Sequence, residues 1–567
     1  MGAELITLGI GIGETDSGTI IYDGGAAIAD DGKILAAIGE ERVSREKYAG
    51  GFNQAIPYLM NSLGLAPSDI DCCALSFCGQ PVRNDLEYWI ERSYLGELKR
   101  HTKFISMPSH HLSHALTAYH FSNFDDALII VFDNEGNALN DDLNYPIETL
   151  RSPFERSSYY LGTGGDINLL HRDHDGADEV SLGDAYRQFT HFIGFPSGLF
   201  SGKTMGLAAY GNPDRFSGLE LFELQDGKIK TLLDPAIDSP GANVQRYFEK
   251  HGVDIGVPAK PGHEVGQREA DIAWFVQNQL ESIVCRKIQT LIDQTGIKRI
   301  CLGGGVAYNV LMNSAILEQT SAEQVFVHPA AGDQGQGIGN AIYAYQYLKG
   351  VPPAPQKPSA FLGPKPSSED FRIAYQNLEK VDGLTYFSGD RVLREAAKQI
   401  ADGKFIGWFH GRSEMGPRSL GHRSILADPR GEDTKDILNA KIKYRESFRP
   451  FAPSVTSRQW NDYFEGPQEN PFMLFSATVR SDSPVPLPAI THKDGTARPQ
   501  SVTPEENPKF HALLVEFGKL SGCEVLLNTS FNLADEPIVE TPLDAVKCFL
   551  RSNLDGLMLE DIFVVKS

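Results

Sequence analysis

Two segments near the middle of the chain each read strand, glycine turn, helix: "IKRICLGGGVAYNVLMNSAIL" from Ile297 and "VFVHPAAGDQGQGIGNAIYAYQYL" from Val325. Short apolar strands that run through small residues into a helix are the units of a helix-covered sheet with parallel strands. This excludes an all-helical or all-strand fold and points to the α/β class. It also places backbone N–H groups at the ends of strands, where such sheets bind ligands. Upstream, residues 270 to 292 put Ile272, Phe275, Val276, Leu280, Ile283, Val284, Ile288, Leu291 and Ile292 on one face of an amphipathic helix. "ELITLGIGIG" reads as a strand, and "GTIIYDGGAAIADDGKILAAIGEER" as a meander turning at Asp31-Gly32. "FDDALIIVFDNEGNA" is a buried strand entering an acidic, glycine-containing turn. The alternation of strands and helices holds from residue 4 to about 350.

A chain of 567 residues is too long for one ordinary core. The stretch "KGVPPAPQKPSAFLGPKPSSED", rich in Pro, Ser and Lys, is the best linker candidate. The division expected is a first domain over 1–352, a linker over 353–370 and a second domain over 371–567. No short repeat or low-complexity tract is present.

Apolar residues at 41% and charged residues at 22% are those of a soluble globular protein. There is no apolar run of membrane-spanning length, and the start "MGAELITLGIGIG" has no basic n-region, so neither a membrane span nor a signal peptide is read, and a cytoplasmic location with no membrane partner is expected. A net charge of -22 argues against a duplex nucleic-acid partner, which needs a basic face. The 7 cysteines, odd in number and irregularly placed, read as small buried residues in a reducing compartment.

Three acidic or glycine turns following strands, at Asp133, at Gly303–Gly305 and at Asp333, are what a nucleotide cleft between two related α/β halves requires. "SHHLSHALTAY" adds three histidines. Residues four apart on a helix lie about 400° around it, nearly superposed. His110 and His114 fit that spacing, and His111 with His114 fits almost as well at three apart. Such a pair with two Asp residues suits Fe(II), Mn(II) or Zn(II). The spacing equally fits packed histidines at a helix start, and the sequence leaves both readings open. "SGKTMGLAAYG" carries a Gly-Lys-Thr triplet at 202–204, which is no Walker A loop because position 197 is Ser197. Its lysine either neutralises a phosphate or sits in an exposed structural loop.

The last 200 residues concentrate cations in an otherwise acidic protein: Arg412, Arg418, Arg423, Arg430, Lys443, Arg445, Arg449 and Arg498. Glycines, prolines and apolar residues lie between them, the pattern of rigid loops around a polyanion pocket. Asn528, Thr529 and Ser530 follow the strand "CEVLL" and offer small hydrogen-bonding groups for ribose or phosphate.

The strings "HHLSHA", "GKTMGLAAYG", "LGGGVAYN", "PAAGDQG", "GPRSLGHRSILADPR", "FRPFAPSV" and "NTSFNLADEPIVETPLDA", in this order and over nearly the whole chain, resemble the O-carbamoyltransferases of nodulation-factor and antibiotic biosynthesis. The resemblance implies an N-terminal actin/hexokinase-like (ASKHA) ATPase-type domain of two related α/β halves. It further implies a C-terminal YrdC-like α/β domain, similar to threonylcarbamoyl-AMP synthase. In the implied reaction the C-terminal domain makes carbamoyl-adenylate from carbamoyl phosphate and Mg-ATP. The N-terminal domain then moves the carbamoyl group to a hydroxyl of a small-molecule acceptor at an Fe(II), or other divalent metal, site.

Carried over residue by residue, the resemblance places His110, His114, Asp133 and Asp333 at the metal. It places Lys203, Gly206, Asn309 and Asn313, together with Asp133 and Asp333, on the adenylate. Arg418, Lys443, Arg449, Arg498, Asn528 and Ser530 fall on ATP and carbamoyl phosphate, and His111 becomes a supporting residue. One departure is Tyr22, where the family carries histidine on the acceptor side; the retained Asp23 is then the candidate for orienting or deprotonating the acceptor. The assembly implied is a monomer or homodimer. Competing readings are a tRNA threonylcarbamoylation enzyme, a sugar-kinase-like ATPase that leaves the arginine-rich region unexplained, and a non-catalytic adenylate-binding protein.

Overall fold

The computed structural model describes residues 5–13, 23–78, 90–91, 93–137, 154–174, 180–237, 239–466 and 469–566. The chain forms two compact units. The first comprises residues up to Leu35, Gly50–Asn53 and Ala66–Pro358; the second comprises Ala36–Ala49, Gln54–Leu65 and Ser359–Ser567. Two stretches from the N-terminal part of the sequence therefore group with the C-terminal unit, which local pattern does not show.

The first unit holds two five-stranded sheets, apart from Ala36–Gly39 at the end of an edge strand, which group with the second unit. Strands β1 (Ile6–Gly13), β2 (Gly25–Asp30), β3 (Lys33–Gly39), β4 (Cys72–Cys78) and β5 (Lys103–Ser106) are ordered β3-β2-β1-β4-β5. Strand β2 runs antiparallel to β1, with Gly25 opposite Gly11, whereas β4 and β5 are parallel to their neighbours. Strands β6 (Asp126–Phe132), β7 (Glu155–Thr163) and β8 (Asp166–His174) join β11 (Arg299–Gly303) and β12 (Gln324–Val327) in the order β12-β11-β6-β7-β8. The intervening β9 (Phe222–Gln225) and β10 (Lys228–Thr231) form a separate hairpin. Read from the other edge, the second sheet repeats the first: an antiparallel meander of three strands, then two parallel strands joined beside its first member. This duplicated topology is the actin/hexokinase-like arrangement of two related α/β halves.

Glycines decide how tightly this unit packs. Alternate positions of β1 are Gly9 and Gly11, and a Cβ at either would strike the helix Gln336–Lys349 at Gly337 or Gln336. A Cβ on Gly339 would fall on the Ser113 carbonyl of the helix His110–His120. Backbone meets backbone here, and the long helix Gln267–Thr295 closes the second half with the nine apolar positions of its buried face.

The second unit is built on an eight-stranded mixed sheet. Its strands are β13 (Leu384–Ser388), β14 (Ile406–Phe409), β15 (Arg423–Ala427), β16 (Ala452–Thr456), β20 (Gln500–Val502), β21 (Val525–Ser530), β22 (Gly556–Leu559) and β23 (Ile562–Lys566). They are ordered β13-β23-β22-β14-β15-β21-β16-β20. The short β17 (Phe464–Glu465), β18 (Ala477–Val479) and β19 (Thr496–Ala497) form a side sheet. Successive residues point to opposite faces. Trp408, Leu426, Leu526 and Met558 pack with helices Val392–Ala401 and Pro508–Ser521, while Phe409, Ile425, Leu527 and Leu557 pack with Ser368–Leu378 and Pro542–Arg551. Within the proline-rich stretch Ala360 and Leu362 are buried, and the Met415 N–H donates to the Ala360 carbonyl at 2.7 Å. Among the described residues no helix is long and apolar enough to cross a membrane.

Candidate functional site: a His2Asp2 cluster and an arginine pocket

The helix His110–His120 starts where Ser109 caps it, its hydroxyl accepting from the Leu112 N–H at 3.1 Å. One turn of helix then sets His110 Nε2 and His114 Nε2 3.2 Å apart. Asp133 leaves the end of β6, and Asp333 opens the turn before the helix Gln336–Lys349. Asp133 Oδ2 lies 3.1 Å from His114 Nε2 and 3.7 Å from His110 Nε2; Asp333 Oδ1 lies 3.3 and 3.2 Å from the same atoms. All four ligand atoms fall within 4.8 Å of one another. Bonds of about 2.0–2.1 Å to a tetrahedral ion place ligand atoms roughly 3.3 Å apart. The donor set and its spacing therefore fit one divalent cation. Both histidines are buried, whereas the Asp333 side chain is 35% exposed and marks the open side.

Each ligand is held from behind. Asp133 Oδ1 accepts from the Asn134 N–H at 2.7 Å and the Gly305 N–H at 3.4 Å, which turns Oδ2 toward the imidazoles. The glycine turn permits this because Gly304 has φ +85° and a Cβ there would strike the Phe132 carbonyl. The His110 N–H donates to Asn137 Oδ1 at 2.8 Å, and its carbonyl accepts from Gln336 Nε2 at 3.2 Å. Gln336 belongs to a buried network in which Ser76 Oγ donates to Gln336 Oε1, Asn340 Nδ2 donates to Ser76 Oγ, and Ser113 Oγ donates to Asn340 Oδ1. Burial alone would lower the pKa of His110, but the facing carboxylates of Asp333 and Asp133 raise it to about 10, and His114 moves in the same direction. Burial would raise Asp133, yet the two imidazoles hold it well below the carboxylate range. Such a cluster holds positive charge strongly, as protons or as a metal ion.

His111 points elsewhere. Its Nδ1 lies 2.8 Å from Ser158 Oγ and its N–H donates to Glu155 Oε2 at 3.2 Å. Burial lowers its pKa to about 4, so it is neutral and supporting. Glu155 escapes sequence reasoning: fully buried, it accepts from Ser109 Oγ at 2.5 Å and the Asn137 N–H at 3.3 Å, and pairs with Arg172 at 3.0 Å. A carboxylate at the start of the polar "ERSSYY" strand is the only trace it leaves in the sequence.

The other expected residues of the first unit lie on separate elements. Asp23 precedes β2 with φ +53°, and β2 touches the Asp333–Gly335 turn; Tyr22 lies outside the described residues. Lys203 and Gly206 share the helix Ser201–Ala208, with Lys203 Nζ 4.5 Å from the Phe200 ring centroid. That helix packs on Gln267–Thr295. From the same long helix Gln277 forms a reciprocal amide pair with Asn309 at 2.8 and 2.9 Å, and Asn309 Oδ1 also caps the helix Val310–Gln319. Asn313 Nδ2 donates to the Ala307 carbonyl at 2.8 Å.

In the second unit the eight cations separate into two groups. Arg423 is fully buried, stacked 3.6 Å from the Phe409 ring centroid, and donates to the carbonyls of His410, Gly411 and Glu540. Arg430 pairs with Asp428 at 2.6 Å, and Arg412 donates to the carbonyls of Leu362 and Gly363. These three hold the framework, which corrects their placement in a polyanion pocket. The remainder converge. Burial, then the like charges of Arg418, Arg445 and Arg449, holds Arg498 well below its usual pKa. Burial, followed by the charge of Arg445, lowers Lys443 likewise, while its Nζ donates to Ser530 Oγ at 3.2 Å and Asn532 Oδ1 at 2.8 Å. Four arginines held together against their own repulsion offer the donors and charge that suit an anion.

The loop bearing Arg418 is itself shaped by a buried carboxylate. Glu414 Oε1 accepts from the N–H groups of Leu420, His422 and Arg423 at 2.8, 2.9 and 3.1 Å. Asn528 is drawn into the same frame, its Nδ2 donating to the Ser419 carbonyl at 3.2 Å and Ser454 Oγ at 2.9 Å.

The family models described as Carbamoyltransferase N-terminus and Carbamoyltransferase C-terminus match residues 16–95 with 83–342, and 397–566, and the chain belongs to this family of enzymes that transfer carbamoyl groups. It is 35% identical to the nodulation protein NolNO of Sinorhizobium fredii over 97% of this chain and 79% of that one. It is 34% identical to the uncharacterised protein sll1178 of Synechocystis over 96% and 95%. It is also 27% identical to the 3'-hydroxymethylcephem-O-carbamoyltransferase of Amycolatopsis lactamdurans over 95% and 97%.

Proposed function

We propose that this carbamoyltransferase works in two stages and that its product is the O-carbamate of a hydroxyl-bearing small molecule. In the arginine pocket of the second unit, water releases carbamate and phosphate from carbamoyl phosphate. A carbamate oxygen then attacks the α-phosphorus of ATP, forming carbamoyl-adenylate and displacing pyrophosphate. Arg418, Arg449 and Arg498 neutralise the charge that builds on the phosphates, and Lys443 presents its ammonium from the Ser530–Asn532 turn. In the first unit the acceptor hydroxyl attacks the carbamoyl carbon, AMP leaves, and Asp23 takes up the hydroxyl proton. A divalent cation, Fe(II) in our reading, held by His110, His114, Asp133 and Asp333 supplies Lewis acidity toward the carbamoyl carbonyl or the adenylate phosphate. Lys203 offsets adenylate charge, and Asn309 and Asn313 are its further adenylate contacts in this reading.

The observation that carries this reading is the coexistence, in one chain of this family, of a four-ligand metal geometry and a separate pocket of mutually repelling arginines. A kinase-like ATPase needs only the first unit. The test is metal content and pyrophosphate release by anaerobically purified protein supplied with ATP and carbamoyl phosphate. About one metal per chain and release that requires carbamoyl phosphate are expected. No pyrophosphate from metal-loaded protein overturns the two-stage reading.

A further inference from the structure

Gln277 lies among the buried positions of the long helix Gln267–Thr295 and is only 3% exposed. An amide side chain carries two donor hydrogens and two acceptor lone pairs, and burial is costly for any that stays unmatched. Here all four are matched. Gln277 Oε1 accepts from the Tyr186 hydroxyl at 2.8 Å and from Asn309 Nδ2 at 2.8 Å. Its Nε2 donates to Asn309 Oδ1 at 2.9 Å and to Glu281 Oε1 at 2.7 Å. The partners come from three places: the helix Leu182–Phe192, the next turn of Gln277's own helix, and the residue that ends the glycine turn after β11.

The arrangement has a direction. The two ends of an amide are alike in shape and opposite in hydrogen bonding, so a half-turn about its last bond exchanges donor for acceptor. Glu281 selects one of the two orientations, because a carboxylate accepts and the Gln277 NH2 must face it. Burial raises the Glu281 pKa, and the Gln277 N–H opposes this by stabilising the carboxylate. Asn309 is turned in a matching sense, since its Oδ1 also accepts the Met312 N–H at 3.0 Å as the cap of the helix Val310–Gln319. Both acceptor sites of Asn309 are therefore taken, by Met312 and Gln277, while Gln277 takes one of its two Nδ2 hydrogens. Asn309 is half-buried, and what it has left to offer is a donor.

We propose that Gln277 is a positioning residue for adenylate binding in the first unit. Locked by Glu281 and Tyr186, it holds the Asn309 amide in the orientation that presents N–H, so that Asn309 takes a hydrogen-bond acceptor of the nucleotide and rejects a donor. The inference rests on the reading of Asn309 as an adenylate contact. Sequence order hides it, because Gln277 is one polar step in a largely apolar helix face and its partners Tyr186 and Asn309 lie 91 and 32 residues away.

The experiment is a calorimetric titration of AMP into the full metal-loaded chain carrying Arg498→Met, which takes the second unit's cation cluster out of the measurement. In this parent, Asn309→Ala and Gln277→Met are made singly and together. Each single change is expected to weaken AMP about tenfold. The pair is expected to bind no more than about twofold more weakly than either, because Gln277 acts through Asn309. Tyr186→Phe, which removes one hydrogen bond at constant shape, is expected to weaken AMP about threefold or more in the parent and to have no effect beside Asn309→Ala. It carries the cycle alone if Gln277→Met does not fold. If Asn309→Ala weakens AMP while Gln277→Met and Tyr186→Phe stay within about twofold of the parent, or if the losses add, the positioning role falls and the adenylate site stands. If AMP does not bind the parent, or Asn309→Ala leaves its affinity unchanged, the reading of Asn309 falls and takes the inference with it.

Discussion

His110 Nε2 and His114 Nε2 face each other at 3.2 Å, with Asp133 and Asp333 closing the other sides of the same small volume. Two imidazoles in that relation share a proton or a cation. His114→Ala removes one of four ligands and is expected to reduce bound metal from about one per chain to a small fraction. Metal analysis after anaerobic desalting checks this. Pyrophosphate release from ATP and carbamoyl phosphate is expected to survive in the same variant, because the proposed two-stage reading puts that step in the second unit.

Gly339 touches no ligand, yet the cluster depends on it. A side-chain carbon there would fall on the Ser113 carbonyl, so Gly339→Ala pushes the helix His110–His120 off the helix Gln336–Lys349. Overpacking of this kind costs about 1–3 kcal/mol. The expected result is a lowered denaturation midpoint together with weakened metal affinity, measured by urea titration and by competition with a chelator.

The arginine pocket predicts stabilisation by anions. ATP at about 100 times its Kd adds roughly 2.7 kcal/mol to the unit that binds it, a shift of about 5–11 °C in melting temperature for a unit of this size. Arg498→Met is expected to abolish that shift. Because Arg498 is held against Arg418, Arg445 and Arg449, the variant without ligand is expected to melt no lower than wild type. Differential scanning calorimetry with and without ATP reads both effects.

Acid sensitivity follows from two buried histidines flanking Phe121, at ring distances of 5.2 Å for His120 and 4.8 Å for His328. Burial lowers their pKa to about 4 and about 3. The folded values lie below the unfolded value of about 6.5, so the unfolded chain binds the extra protons and stability falls as pH falls. Each contributes a loss of about 1.4 kcal/mol per pH unit, beginning near pH 6.5 and ending near the folded value. Unfolding midpoints between pH 7 and 4 check the slope, and His328→Gln is expected to reduce it by one such contribution.

Local pattern carried much of this molecule. The alternation of β1 and the strand, glycine turn, helix units around Gly303 and Asp333 are fixed by side-chain period and glycine freedom, which act over a few residues. The one-turn spacing of His110 and His114 is equally local, and it left metal binding and core packing undivided. What separated them was the arrival of Asp133 and Asp333, some 200 residues apart in sequence, at the same two nitrogen atoms. Only the sheet order, with β11 inserted beside β6, brings those turns together. The cations of the second unit show the same division. Their composition marked a pocket, but whether an arginine faces a ligand or a buried carbonyl depends on tertiary neighbours, which spend Arg412, Arg423 and Arg430 on the framework. The alliance of Ala36–Ala49 with the second unit had no local signal at all, because hydrogen bonds such as Arg42 to Gly416 join residues whose separation no periodicity records.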